Sequence, residues 1–248
     1  MTKIFVANWK MNKTVSEAKA FLTEFLPKVA DSKNEIIIAA NAVCLTEAQK
    51  KVKRSNVQMA AQNIYTEKAG AFTGEISAEM LKDIKVKITL LGHSERRIYF
   101  GEDDEFINKK VKLALNDGFK VILCIGENAE ERDNKQTMGV LTRQLKIGLR
   151  GVTAEEMKNV YVAYEPIWSI STFTTGKIAT TDEITEVHSA IKNILAEMYP
   201  KTYKDIKILY GGSVSPKNSK QIMKIKNVDG ALIGGASLKV DSLVEVVK

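Results

Sequence analysis

The sequence predicts an α/β fold, a (β/α)8 barrel of eight parallel strands with outer helices. Three observations carry this reading. Eight short β-rich runs alternate strictly with eight amphipathic helical stretches, and strands separated by helices pair in parallel. The chain has 248 residues, the length such a barrel needs. The first strand is followed by Asn8-Trp9-Lys10, not by the glycine-rich turn of a doubly wound dinucleotide-binding sheet.

The strands are expected at residues 4–8, 35–40, 57–62, 88–91, 120–125, 161–164, 207–210 and 230–233, each a short run rich in β-branched or other apolar residues. Helices fill the gaps at 16–30, 46–54, 77–82, 104–116, 129–149, 182–198, 216–224 and 240–247. Ser16, Ser77, Thr181 and Ser215 stand where N-caps belong, and Pro216 follows at a first helical position. No low-complexity linker interrupts the chain, and Pro27, Pro166, Pro200 and Pro216 are the only prolines. Residues 1–248 are therefore expected to form a single domain.

Composition narrows the function classes. Hydrophobic residues are 44% and charged residues 27%, as in a globular protein, which excludes disordered and fibrous readings. No apolar run approaches a membrane span, and Ile4 to Ala7 is too short for a signal peptide. A cytoplasmic protein is expected, with Cys44 and Cys124 as reduced thiols. Lys plus Arg exceed Asp plus Glu by 37 to 30, so the formal charge of +7 points to acidic partners. The densest basic cluster, Lys50, Lys51, Lys53 and Arg54, has no interleaved aromatics and reads as a solvated helix face, not a nucleic-acid surface.

In a barrel the chemistry gathers at the C-terminal ends of the strands. The residues expected there are Asn8 and Lys10; Asn41; Gln62 and Asn63; His93 to Arg97; Gly126 and Glu127; Glu165; Gly211, Gly212 and Ser213; and Gly234 and Gly235. Glu165 precedes Pro166, which confines it to extended backbone and makes it a candidate general base. His93 can shuttle a proton or polarise a carbonyl, and Lys10 can stabilise developing negative charge. His188, inside a predicted helix, reads as structural. The glycines after the last two strands let backbone N–H groups approach a phosphate. The distant histidines and cysteines have no metal-ligand spacing, and there is no nucleotide fingerprint, so neither metal nor cofactor is expected. These residues suit cofactor-free proton abstraction beside the carbonyl of a small phosphorylated substrate.

Seven motifs follow one another along the chain. The first four are Ala7-Asn8-Trp9-Lys10-Met11-Asn12, Gln62-Asn63 with Gly70-Ala71-Phe72-Thr73-Gly74-Glu75, Leu91-Gly92-His93-Ser94-Glu95-Arg96-Arg97 and Cys124-Ile125-Gly126-Glu127. The others are Ala163-Tyr164-Glu165-Pro166-Ile167-Trp168, Tyr210-Gly211-Gly212-Ser213-Val214 and Ile233-Gly234-Gly235-Ala236-Ser237-Leu238. Through them the sequence resembles, over essentially its whole length, the triosephosphate isomerase family, whose fold is the TIM barrel. The resemblance implies that Glu165 is the base, that His93 is a neutral electrophile, and that Asn8 and Lys10 hold the substrate and its charge. It also implies support of the site by Glu95 and Glu127, and phosphate binding through Ser171, Ser213, Gly234 and Gly235. The implied reaction interconverts dihydroxyacetone phosphate and D-glyceraldehyde 3-phosphate in glycolysis and gluconeogenesis. The implied assembly is a homodimer in which Thr73 reaches the partner's site.

The family's sixth loop closes as a lid, and here the sequence departs from it. After the tryptophan the family usually reads Ala-Ile-Gly-Thr-Gly-Lys-Thr-Ala-Thr. This chain spends twelve residues, 169–180, where the family spends nine, and carries Ser171 in place of the phosphate-binding glycine. The hinge residues Pro166, Trp168, Gly176 and Lys177 and the latching Tyr210 are retained. A lid of altered geometry is expected to admit water and let an enediolate lose phosphate as methylglyoxal. Asn41-Ala42-Val43 also departs from the family, which often has prolines there, and is expected to affect rigidity alone. Two other functions compete: an aldolase-type barrel using Lys10 as an imine, and a catalytically impaired barrel acting as a binding protein.

Overall fold

The computed structural model describes residues 2–170 and 177–248. Its eight strands are β1 (Ile4–Asn8), β2 (Glu35–Ala40), β3 (Val57–Ala61), β4 (Ile88–Leu91), β5 (Lys120–Ile125), β6 (Val160–Tyr164), β7 (Lys207–Tyr210) and β8 (Gly230–Ile233). Every neighbouring pair is parallel, and β8 returns to β1 to close the barrel in the order predicted. The ends of β3 and β6 differ from the expected ones by one residue.

Period-two alternation divides each strand between two cores. Val6, Ile37, Ala39, Leu90, Ile122, Leu209 and Leu232 fill the barrel interior. Phe5, Ala7, Ile36, Ile38, Val121 and Ile208 face the surrounding helices. At the N-terminal end of the barrel, Lys120 Nζ donates to Glu35 Oε1 at 2.9 Å and to the Tyr161 hydroxyl at 2.8 Å. Barrel closure also depends on Gly230. A Cβ there would stand 1.8 Å from the Ile4 carbonyl oxygen, inside the β8–β1 ladder.

The helices are α1 (Val15–Lys28), α2 (Ala42–Val52), α3 (Ala78–Asp83), α4 (Ser94–Phe100), α5 (Asp104–Asn116), α6 (Ala129–Asp133), α7 (Thr137–Gly148), α8 (Thr181–Met198), α9 (Ser219–Ile222) and α10 (Val240–Val247). Several starts correct the sequence reading. Thr14, not Ser16, caps α1, and Thr180, not Thr181, caps α8. Each true cap has a glutamate three residues on, Glu17 or Glu183, that returns a hydrogen bond to the cap backbone, a reciprocal pairing unavailable to Ser16 or Thr181. Ser77 caps α3 as expected. Asn41 starts α2 four residues earlier than read, by accepting the Cys44 N–H. The long helix expected at 129–149 is broken where Lys135 takes a left-handed φ of 59°. Ser215 caps no helix: its N–H donates to Asn218 Oδ1, and α9 begins only at Ser219. The additional helix α4 lies in the segment read as a strand end.

Because the space at Gly230 is taken by backbone, Gly230→Ala is expected to destabilise the fold by about 3 kcal/mol or more. At Gly139 in α7 a methyl group would meet open space, with no described atom outside its own helix turn within 4 Å. Gly139→Ala is expected to gain about 0.5 kcal/mol through helix propensity. Urea unfolding of the two variants checks the contrast.

Candidate active site

A cleft of about 180 Å³ opens at the C-terminal end of the barrel, where Asn8, Lys10, His93 and Glu165 face Ser213, Gly234 and Gly235. Each residue is placed by a local device. Asn8 ends β1, and its Oδ1 accepts the Lys10 N–H at 3.0 Å, bracing Lys10 in a left-handed conformation with φ of 52°. Gln62 fixes this turn from beneath, its Nε2 donating to the Lys10 carbonyl at 2.8 Å and to the Ala39 carbonyl at 3.0 Å. Lys10 Nζ then lies 2.7 Å from Glu95 Oε1.

His93 is the N-cap of α4, and its Nδ1 accepts the Glu95 N–H at 3.2 Å. An accepting Nδ1 carries no proton, so the remaining proton is on Nε2, which stands 3.0 Å from Glu165 Oε1. The other carboxylate oxygen, Oε2, accepts the Ser94 N–H at 2.9 Å. Glu165 is thus held by two donors at the first turn of α4, although only 2% of it is exposed. Burial opposes its ionisation, but His93, the Ser94 amide and the Lys10 charge outweigh burial and hold its carboxyl below the ordinary carboxylate value.

The β5 end leaves room for the backbone that carries Glu165. A Cβ on Gly126 would lie 1.8 Å from the Glu165 carbonyl oxygen. Gln144 clamps Gly126, accepting its N–H at 2.7 Å and donating to its carbonyl at 3.1 Å. On the opposite wall, Gly235 starts a 3-10 turn (Gly235–Leu238), whose first amides have no acceptor within the turn and so suit an anion.

Glu127 lies outside the cleft. Its Oε1 accepts Trp168 Nε1 at 2.7 Å, the Tyr164 hydroxyl at 3.1 Å and Arg132 Nη1 at 3.4 Å. Burial raises its carboxyl above the ordinary value against these donors. Glu127 therefore anchors the segment leaving β6, where Pro166 precedes a 3-10 turn (Ile167–Ser169). The Ser169 hydroxyl accepts the Ala179 N–H at 3.0 Å, joining the two stems of the loop. Lys177 Nζ lies 5.2 Å from the Trp168 ring centre. Tyr210 is buried beside Gly212, and its hydroxyl is pushed up to about 12 by burial. Ser171 and Gly176 lie outside the described residues.

Glu95, Asn8, Lys10 and His93 also line a second cleft with Met11 and Phe100, both exposed. Thr73 is exposed on the connection from β3 to α3. His188, in α8, does not line the cleft: its Nδ1–H donates to the Asn227 carbonyl at 3.0 Å, and burial pushes its imidazole down to about 4. Sequence reasoning gave no role to Gln62, Arg132 or Ser169. Arg132 lies five residues from Glu127, off any helical spacing, and Ser169 pairs across a loop, so neither left a local signal. Among the described residues no group of His, Cys, Asp or Glu is arranged to hold a metal.

An ionised carboxylate, an imidazole Nε2–H and an ammonium group meeting at the mouth of a closed parallel barrel are the machinery of a barrel isomerase. The family model described as triosephosphate isomerase matches residues 3–248. A protein of that name from Fusobacterium nucleatum is 48% identical over 99% of this chain and 97% of its own. Others from Thermoanaerobacter sp. and Thermodesulfovibrio yellowstonii are each 45% identical over 98–99% of this chain and 98% of their own. The chain belongs to the triosephosphate isomerase family and is an isomerase.

The depressed Glu165 carboxyl ties the site to stability. Its ionised form contributes stability above the pKa of an unfolded glutamate, and that contribution is lost as pH falls through the lower folded value. Lowering pH from neutrality through the carboxylate range is expected to destabilise the natural chain relative to Glu165→Gln. Urea unfolding at stepped pH measures this, and a difference independent of pH contradicts it.

Proposed function

We propose that this enzyme interconverts dihydroxyacetone phosphate and D-glyceraldehyde 3-phosphate through an enediolate, in glycolysis and gluconeogenesis. The single observation carrying the reading is the convergence of Glu165, His93 and Lys10 on one cleft that faces glycine-rich backbone. The substrate phosphate binds at the Ser213, Gly234 and Gly235 amides, and Asn8 and Lys10 hold the carbonyl end. Glu165 removes a proton from the carbon beside the carbonyl and returns one to its neighbour. His93 Nε2–H and Lys10 stabilise the charge that gathers on the two oxygens between these steps.

The resting contacts define a necessary exchange. His93 Nε2–H and the Ser94 N–H are both committed to Glu165. Catalysis on this reading requires the carboxylate to leave them and turn toward the substrate carbon. His93 is then free to donate to a substrate oxygen, and Glu165 loses two hydrogen bonds and becomes a stronger base.

The loop anchored by Trp168 on Glu127 acts as the lid, with Pro166 and Lys177 at its stems, Gly176 and the phosphate-binding Ser171 between them, and Tyr210 as its latch. It has twelve residues where the family has nine, and the proposed consequence is leakage of water and of the intermediate. A homodimer completes the second cleft: exposed Met11 and Phe100 supply apolar surface, and the partner's Thr73 loop enters beside Lys10 and Glu95. No helix among the described residues is long and apolar enough to cross a membrane, and a cytoplasmic location fits the glycolytic role.

Steady-state turnover of D-glyceraldehyde 3-phosphate tests the base. Glu165→Gln is expected to lose at least ~10²-fold in kcat. An unchanged kcat, or no turnover by the folded natural chain, contradicts the proposal, and the latter favours a binding role. A second expectation concerns the lid. Deleting three loop residues and restoring glycine at Ser171 is expected to lower the methylglyoxal formed per turnover, and an equal yield removes the idea of a leaky cover.

A further inference from the structure

A second concave site lies at the opposite end of the barrel. Lys3 precedes β1, Lys207 opens β7 and Asp229 precedes β8, so these residues mark the N-terminal mouth. There a cleft of about 750 Å³ is lined by Lys3, Lys192, Lys204, Lys207, Lys224 and Lys226. Among the described residues, Asp229 is the only carboxylate in its lining. Its Oδ2 accepts the Ile208 N–H at 2.9 Å and its Oδ1 pairs with Lys207 Nζ at 3.9 Å, so one carboxylate faces six lysines.

Two of the six ammonium groups are held by backbone carbonyls. Lys3 Nζ donates to the Val228 carbonyl at 2.5 Å, and Lys192 Nζ to the Ile206 carbonyl at 2.8 Å. The wall carrying Lys224 and Lys226 is fixed by His188, whose Nδ1–H holds the carbonyl of left-handed Asn227. Burial lowers the proton affinity of Lys3 and Lys192, Asp229 partly offsets it, and Lys207 lowers it further by like-charge repulsion. Asp205 also acts on Lys192 from outside the lining. The unequal balance persists: one mouth of the barrel concentrates positive charge that its own carboxylates do not neutralise.

We infer that this N-terminal cleft binds a small polyanion carrying two or more adjacent phosphates, independently of the isomerase reaction at the other mouth. Isolated ammonium groups bind phosphate as point charges, and several around one concavity favour a ligand that presents several charges together. The phosphate chain could belong to a free inorganic polyphosphate or to a nucleotide, and Tyr203 in the lining offers an aromatic face only the second would use.

Isothermal titration of the full chain with inorganic tripolyphosphate tests the inference, with glycerol 3-phosphate saturating the other cleft. Saturable one-to-one binding is expected, weakening steeply as salt is raised. The paired variant Lys204→Gln with Lys224→Gln should weaken it at least ~10-fold, on the order of 1.4 kcal/mol. Both lysines are exposed and outside the isomerase site, so turnover should be unchanged and reports the fold. Lys50→Gln with Lys51→Gln on α2 removes the same charge elsewhere and should leave binding intact. Tighter binding of a nucleoside triphosphate than of tripolyphosphate assigns the nucleotide source, and equal binding assigns the phosphate chain alone. Absence of saturable binding, or equal weakening by the α2 pair, overturns the inference.

Discussion

The Glu95 amide donates to His93 Nδ1 across 3.2 Å, and this hydrogen bond decides which imidazole nitrogen carries the proton. With Nδ1 occupied as an acceptor, Nε2 is the donor, and it points at Glu165 across 3.0 Å. Glu95 acts twice, since its carboxylate holds Lys10 Nζ at 2.7 Å while its amide orients His93. One residue at the start of α4 thereby sets both the tautomer of the imidazole and the place of the cation. The proposed division of labour between Glu165 and His93 depends on that placement.

Barrel closure makes these contacts possible. Lys10, His93 and Glu165 are far apart in the chain, and only a closed parallel sheet brings the ends of β1, β4 and β6 around one cleft. Burying a carboxylate is unfavourable unless donors meet it. Here the Ser94 amide and the His93 Nε2–H do so, and Gly126 keeps side-chain volume away from the backbone that carries Glu165. The same sheet separates two charge environments. The C-terminal mouth balances Lys10 with Glu95 and Glu165, whereas six lysines crowd the N-terminal cleft.

Much of this was legible in the sequence because its causes are local and periodic. Apolar runs alternating with helical stretches give the strand order, and polar residues after each run mark the cleft. Glu165, His93 and Lys10 stand out there by position and chemistry, and the motif resemblance then gives each its role. What stayed hidden depends on pairing at a distance. Thr14 and Thr180 displace the expected caps because each finds a glutamate partner three residues on. The α4 turn was read as a strand end, since seven residues carry little periodicity. Glu127 was expected to support the site, but its link to Trp168 through an indole N–H needs the fold to be seen. The lysines of the N-terminal cleft come from the segment before β1, α8 and the connection after it, β7, and the α9–β8 connection, so no local charge run marks them.

The central claim is that a carboxylate moves a proton between two substrate carbons, and isomerisation in D2O tests it most directly. Turnover of dihydroxyacetone phosphate in D2O, followed by NMR of the product, reads whether solvent hydrogen enters. The account predicts deuterium at the reacting carbon, because a proton resting on Glu165 between the two steps can exchange with solvent. Product free of deuterium at that carbon after many turnovers would mean direct hydride transfer between the carbons, and would contradict an enediolate formed by Glu165.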